Sequence, residues 1–159
     1  QVRARGTLGG SVANNDPAAD YPAAVLALDA VVVTVKREIA AADFFQGFFM
    51  TALEPGEVIT GIRFALPKRS AYAKFKHPAS GYAMAGVFVA DLGAAGHRVA
   101  VTGAGGGVFR WSAAEQAWSQ GNAIPTLDHP DLLEDIHAPA RYRAHLAKVM
   151  CEQAIAELA

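Results

Sequence analysis

Arg5-Gly6-Thr7-Leu8-Gly9-Gly10-Ser11-Val12-Ala13-Asn14-Asn15-Asp16-Pro17-Ala18-Ala19-Asp20 is the stretch around which the rest of the chain is organised. Glycines bracket a Thr-Leu pair, so the backbone can turn sharply and approach a ligand without Cβ interference. Thr7, Ser11, Asn14 and Asn15 place small polar groups within a few residues of that backbone. Amides gathered in this way suit an anion, a phosphate above all. The pattern is not the G-x-G-x-x-G of a dinucleotide-binding βαβ unit, and no G-K-[ST] follows to make it a P-loop. From the residues alone it is either a phosphate cradle or a glycine-rich turn before a helix.

Outward from this stretch, Asp16-Pro17 signals one helix start and Asp20-Tyr21-Pro22 another, since Asp caps well and Pro is tolerated in a first turn. The main helix is expected from Asp20 to about Leu28. Ala30 to Lys36 is β-branched and reads as a strand. Asp43-Phe44-Phe45-Gln46-Gly47-Phe48-Phe49 is expected to form a helical turn whose phenylalanines join the core. Leu53 to Glu57 is a turn and Val58 to Phe64 an alternating strand. The polar, Pro-punctuated Pro67-Lys68-Arg69-Ser70 marks a boundary. Beyond it, Tyr72–His77, Tyr82–Asp91 and His97–Thr102 read as a three-stranded antiparallel meander. Gly103 to Gly107 lies in an apolar segment ending at Trp111 and reads as a bulged or tightly packed strand rather than a second phosphate cradle. Ser112-Ala113-Ala114-Glu115 has the form of a capping box, opening a helix that Gly121 stops. The last helix is expected over Pro139–Leu158, with Tyr142, Leu146, Val149, Met150 and Ile155 as its buried stripe.

The 159 residues are 52% hydrophobic with a formal net charge of -1, which fits a soluble globular protein and gives nucleic acid no basic surface to bind. The single Cys151 excludes an internal disulfide and favours a reducing, cytoplasmic home. The most apolar run, Ala23 to Val35, is interrupted by Asp29 and is too short to span a bilayer. The five histidines suggest no metal site, because only His137 and His145 come from one region. No nucleophile–base pairing stands out, so no catalytic residue and no metal ligand is assigned. The chain begins at Gln1, directly upstream of the glycine stretch, and reads as a piece of a longer protein.

The run R-G-T-L-G-G-S-V-A-N-N-D-P-A-A-D-Y-P-A-A-V-L-A-L resembles the second FAD-binding motif of the flavoprotein subunit of molybdenum hydroxylases, the family of the carbon monoxide dehydrogenase medium subunit and the xanthine dehydrogenase flavin domain. The T-[IL]-G-G turn, the D-P pair and the second Asp are all present. D-F-F-x-G at Asp43, L-x-P-G-E-[VIL]-[IL] at Leu53 and D-I-H-A-x-A-x-Y-R-x-H-L at Asp135 extend the likeness over most of the chain. The resemblance implies an α+β fold: residues 1–66 as the C-terminal part of an FAD-binding domain of the vanillyl-alcohol-oxidase-like type, and residues 67–159 as a small antiparallel sheet with a helix bundle. It implies that Thr7, Leu8, Gly9 and Gly10 lie against the FAD pyrophosphate, with Ser11 and Asn14 beside them. Asp20 is either a plain N-cap or a ligand to FAD, and Ile59 either an ordinary strand residue or a contact to the flavin nucleotide. Lys76 and Tyr82 are the remaining candidates, as an exposed lysine and half-buried tyrosine or as cofactor contacts. The sequence departs from the family in reading Ser80-Gly81-Tyr82, without the acidic residue usual before the aromatic.

The activity so implied is electron transfer within a molybdenum hydroxylase, from iron–sulfur clusters to an acceptor. The partners implied are an iron–sulfur small subunit carrying 2Fe-2S clusters and a large subunit carrying the molybdenum cofactor, with NAD or another electron acceptor. A first glycine-rich motif, which in the family grips the other side of the FAD, has no counterpart in this chain. Two other readings stay open: a scaffold domain that keeps the fold without flavin, and a stand-alone flavoprotein oxidoreductase.

Overall fold

The structure, a computed structural model, describes residues 4–158. Thr7 caps a short helix α1, Leu8–Asn14, and Tyr21–Ala27 forms α2. The strands β1 (Val31–Thr34), β2 (Glu38–Ala40) and β5 (Ile59–Arg63) form a three-stranded antiparallel sheet in the order β2-β1-β5. Between β2 and β5 lie a single turn α3, Ala41–Phe44, and a small hairpin of β3 (Phe45–Gly47) and β4 (Met50–Thr51). The second sheet is an antiparallel meander of β6 (Arg69–Lys76), β7 (Ala83–Asp91), β8 (His97–Thr102) and β9 (Phe109–Arg110). Helices α4, Ser112–Ser119, and α5, Ala140–Ala156, follow.

The second sheet is covered on both faces, which is why β7 is buried along nearly its whole length. On one face Val87, Val89, Val99 and Val101 pack with Trp111, Leu146, Met150 and Cys151 from the helical layer. Removing each such valine from water stabilises the fold by roughly 1.5–3 kcal/mol. On the other face Phe88, Tyr72 and Ala100 meet the cluster built around Val12, Val25, Val32 and Phe44. The alternation of β-strand side chains thus joins the two halves through one sheet.

Several expectations change. The glycine stretch is not an open turn: Gly9 and Gly10 sit in the first turn of α1. No helix starts at Asp16-Pro17, because Asn15 ends α1 in the left-handed region (φ 45°) and the Asp16 carboxylate accepts from the Ala18 amide in a tight turn at 2.9 Å. The second sheet has four strands, not three, and Gly103–Gly107 is a run of bends rather than a strand. The phenylalanine cluster divides: Phe44 is buried, but Phe48 and Phe49 are 59% and 48% exposed at the β3–β4 turn. The capping box does not form, since Ser112 lies inside α4 and the Glu115 carboxylate instead bonds the Val99 amide and the Arg110 guanidinium. The buried stripe of α5 is rotated to Arg143, Ala144, Leu146, Ala147, Met150, Cys151 and Ala154, leaving Tyr142 40% exposed.

Candidate functional site

The site begins where α1 begins. Thr7 is extended (φ -123°, ψ 157°), and its hydroxyl accepts from the Gly10 amide at 3.0 Å. Its carbonyl accepts from the Ser11 amide at 3.0 Å, the first turn of the helix. The amides of Leu8 and Gly9, at the head of the helix, have no carbonyl four residues back within it and point out from its end. Gly9 lies on Ile59 of β5, and a Cβ there would stand 3.7 Å from the Ile59 side chain. A Cβ on Gly10 would come within 3.0 Å of the capping hydroxyl. Thr7, Leu8 and Gly9 face Ile59, Thr60, Gly61 and Ile62 across a cleft of about 310 Å³. The structure therefore brings Thr7, Leu8, Gly9 and Ile59 together although Ile59 is fifty residues away.

The loop that delivers Ile59 is fixed by Glu57. Its buried carboxylate accepts from the Thr34 hydroxyl (2.7 Å), the Glu54 amide (2.8 Å) and the Arg37 guanidinium (3.2 Å). The Arg37 bond, then the Glu54 amide and Thr34 hydroxyl, hold its pKa down to about 2 against the ordinary 4.5. At the other end of α1, Asn15 is fully buried and its amide donates to the carbonyls of Gly47 (2.8 Å) and Met50 (2.7 Å). Asn15 therefore clamps the β3–β4 turn, whereas Asn14 is exposed and Ser11 half-buried.

Asp20 stands at the head of α2 but makes no capping bond. One of its carboxylate oxygens accepts from the Tyr72 hydroxyl and the other from the Lys74 ammonium, both at 2.6 Å. Lys74, not Lys76, is thus the strand lysine that meets a residue of the glycine-motif region. Lys76 is exposed beyond a register shift between Phe75 and Lys76. The sequence holds both lysines two residues apart, and only the pairing of β6 with β7 separates them.

Tyr82, 51% exposed, opens a second cleft of about 280 Å³ with Pro17, Ser80, His77, His137 and Arg143. Two histidines from separate stretches of the sequence meet here, with 3.3 Å between His77 Nε2 and His137 Nδ1. The amides of Ala79 and Ser80 donate to His77 Nδ1, so the His77 proton lies on Nε2 and His137 Nδ1 accepts it. Asp135 is bonded to Arg143 at 2.7 Å, and this pair, followed by the Ala138 and His137 amides, holds its carboxyl down to about 2. Among the described residues no group of three or more His, Cys, Asp or Glu side chains is placed to hold a metal. Among the same residues no helix is long and apolar enough to cross a membrane.

A helix head with outward amides, floored by small residues and walled by an aliphatic strand, is the donor set that a diphosphate nucleotide requires. The residues present fit FAD in that respect. Residues 1–68 match the family described as FAD binding domain in molybdopterin dehydrogenase. The nicotine 6-hydroxylase medium subunit of Paenarthrobacter nicotinovorans is 33% identical, the match covering 99% of this chain and 62% of that relative. The carbon monoxide dehydrogenase medium chain of Afipia carboxidovorans is also 33% identical, over 98% of this chain and 61% of the relative. The fold matches reconstituted CO dehydrogenase from Oligotropha carboxidovorans with a TM-score of 0.84 at 30% identity, over 99% of this chain and 62% of that one. In sequence and fold the chain is therefore similar to the FAD-binding medium subunits of molybdenum-dependent oxidoreductases. The chain spans about three fifths of the length of the relatives it matches.

Proposed function

We propose that this chain supplies one side of an FAD site in a molybdenum-dependent hydroxylase or dehydrogenase and serves electron transfer from iron–sulfur clusters to an acceptor. The observation that carries this is the meeting of Thr7, Leu8 and Gly9 with Ile59 at the head of α1. The Leu8 and Gly9 amides would hold the pyrophosphate, with Gly10 keeping the approach open and Ser11 and Asn14 bordering it. Ile59 would offer an apolar wall to the nucleotide. Asp20 and its partner Lys74 would serve as acceptor and cation at the α2 end, and Tyr82 would present an aromatic face from the β6–β7 turn. Lys76, exposed and set one residue past the register shift, supports this less well than Lys74 does.

When bound, FAD supplies the electron-carrying isoalloxazine ring, while the chain supplies grip, orientation and charge balance. Residues 1–66 are the portion of the FAD-binding domain, and residues 67–159 a C-terminal domain that buttresses it. The partners are an iron–sulfur subunit and a molybdenum-cofactor subunit in a cytoplasmic complex, with NAD or another acceptor. The buried Cys151, whose thiol is pushed up to about 12 by burial and then by Glu152, takes no part.

The test is made on the purified native complex before and after flavin removal. The reading requires FAD in the intact complex, and retained reduction of iron–sulfur clusters by substrate with lost acceptor reduction once the flavin is gone. A complex with no flavin, or acceptor reduction that survives its removal, would leave the scaffold reading in place.

A further inference from the structure

The flavin reading does not account for a tyrosine laid across one face of the second sheet to reach the carboxylate at the head of α2. We propose that Tyr72, seated by the bare backbone of Gly86, is a positioning residue that orients Asp20 so that its free lone pairs face the ligand. The inference rests on the flavin reading and names two residues of this chain, outside the glycine motif, on which that site depends.

The geometry is restrictive. On the paired strands Lys74 stands opposite Gly86 and Tyr72 opposite Phe88, so the Tyr72 side chain lies diagonally over residue 86. A Cβ at Gly86 would stand 2.3 Å from the Tyr72 hydroxyl oxygen, 3.0 Å from its ring carbon Cζ and 2.9 Å from the Thr102 methyl. Phi is ordinary at Gly86, so the glycine is needed for room and not for backbone conformation. The space it leaves is filled by the phenol, whose ring also leans on Phe88 with centroids 6.2 Å apart.

That phenol then donates to one Asp20 oxygen at 2.6 Å while Lys74 donates to the other at 2.6 Å. Two donors from one strand fix both the rotation and the tilt of the carboxylate. A carboxylate has about four acceptor positions, of which these two are filled. The Asp20 side chain remains 42% exposed, so the unfilled positions face outward. What such a group recognises is a donor: the hydroxyls of a flavin nucleotide's sugar-alcohol chain, or a ring N–H. Burial first, and the Asp20 bond second, raise the Tyr72 pKa above its ordinary range, so the phenol keeps the proton it donates.

The experiment is FAD affinity by fluorescence quenching in the holoprotein and its Asp20→Asn, Tyr72→Phe, doubly substituted and Gly86→Ala variants, with thermal melting recorded for each. Tyr72→Phe is expected to weaken FAD about tenfold, the size of one charge-assisted hydrogen bond. Asp20→Asn is expected to weaken it at least as much, and the double variant no more than Asp20→Asn alone. Gly86→Ala is expected to reproduce the Tyr72→Phe loss by displacing the phenol; should it not fold, the isosteric Tyr72→Phe still decides. Alkaline difference absorbance should show a late-ionising tyrosine in the parent that Tyr72→Phe removes. Unchanged affinity in Tyr72→Phe, or a loss that adds in full to that of Asp20→Asn, would overturn the proposal, because a merely structural tyrosine acts independently of Asp20. A silent Asp20→Asn in a protein that does hold FAD also overturns it, whereas a parent without FAD sinks the flavin reading itself.

Discussion

Gly9 and Gly10 sit in the first turn of a helix whose leading amides face a cleft, whereas Gly103 to Gly107 run through bends in which Gly103 and Gly105 are pressed against their neighbours. As composition the two stretches look alike. Gly103 adopts φ +77°, and a Cβ there would fall 2.4 Å from the Ala83 carbonyl oxygen. Its amide is spent on the Pro17 carbonyl at 2.7 Å, and Gly105 bridges to Leu132. The first stretch spends the Gly10 amide on the Thr7 cap but leaves the Gly9 amide at the open helix head, whereas in the second the Gly103 and Gly106 amides tie the Asp16–Pro17 turn and the loop before α5 to the sheet. What separates a cradle from packing is therefore the fate of the backbone amides, which glycine count does not report.

The comparison can be broken by substitution. Gly103→Ala meets backbone at a strained φ and should destabilise the fold by about 3 kcal/mol or more, read as a fall in denaturation midpoint. Asn15→Ala removes both clamps on the β3–β4 turn and should cost about 2 kcal/mol, with faster amide exchange at Phe48 to Met50. Gly9→Val adds branches beside Ile59 and should weaken FAD tenfold or more, about 1.4 kcal/mol, with little change in melting temperature. Gly106→Ala has open space where its Cβ would go and should shift stability by less than about 0.5 kcal/mol.

A fifth expectation concerns acid. Glu57 titrates at about 2 when folded, below its ordinary 4.5, so its contribution is fully present above about 4.5 and is lost as the pH falls toward 2. Glu57→Gln should flatten that limb of a melting-temperature profile; an unchanged acid limb would show that the loop carrying Ile59 is held by something else.

Much of this arrangement was legible in the sequence. Pro22 placed α2, the β-branched run placed β1, and the tight turns placed the meander. The glycine motif with Asp16, Pro17 and Asp20 carried the family resemblance. Its helical state was hidden because Gly is a poor helix former, and it is the Thr7 cap, the packing of Val12 into the core and the Asn15 bonds at the far end that hold it there. The α5 stripe was misjudged because Arg143, a charged residue, is buried by bonds to the Met84 and Gly103 carbonyls and to Asp135. Lys74 and Lys76 were indistinguishable until register set Lys74 against Asp20. The His77–His137 meeting joins a strand end to a loop sixty residues on, a distance no local pattern encodes.

The most direct measurement is a fluorescence titration of the flavin-stripped native protein with FAD, run in parallel on the parent, Gly9→Val and Gly106→Ala at a temperature where all three are folded. The account predicts matching affinities for the parent and Gly106→Ala and a loss of tenfold or more for Gly9→Val alone. Equal binding by all three would place the nucleotide elsewhere and contradict the assignment of the α1 head.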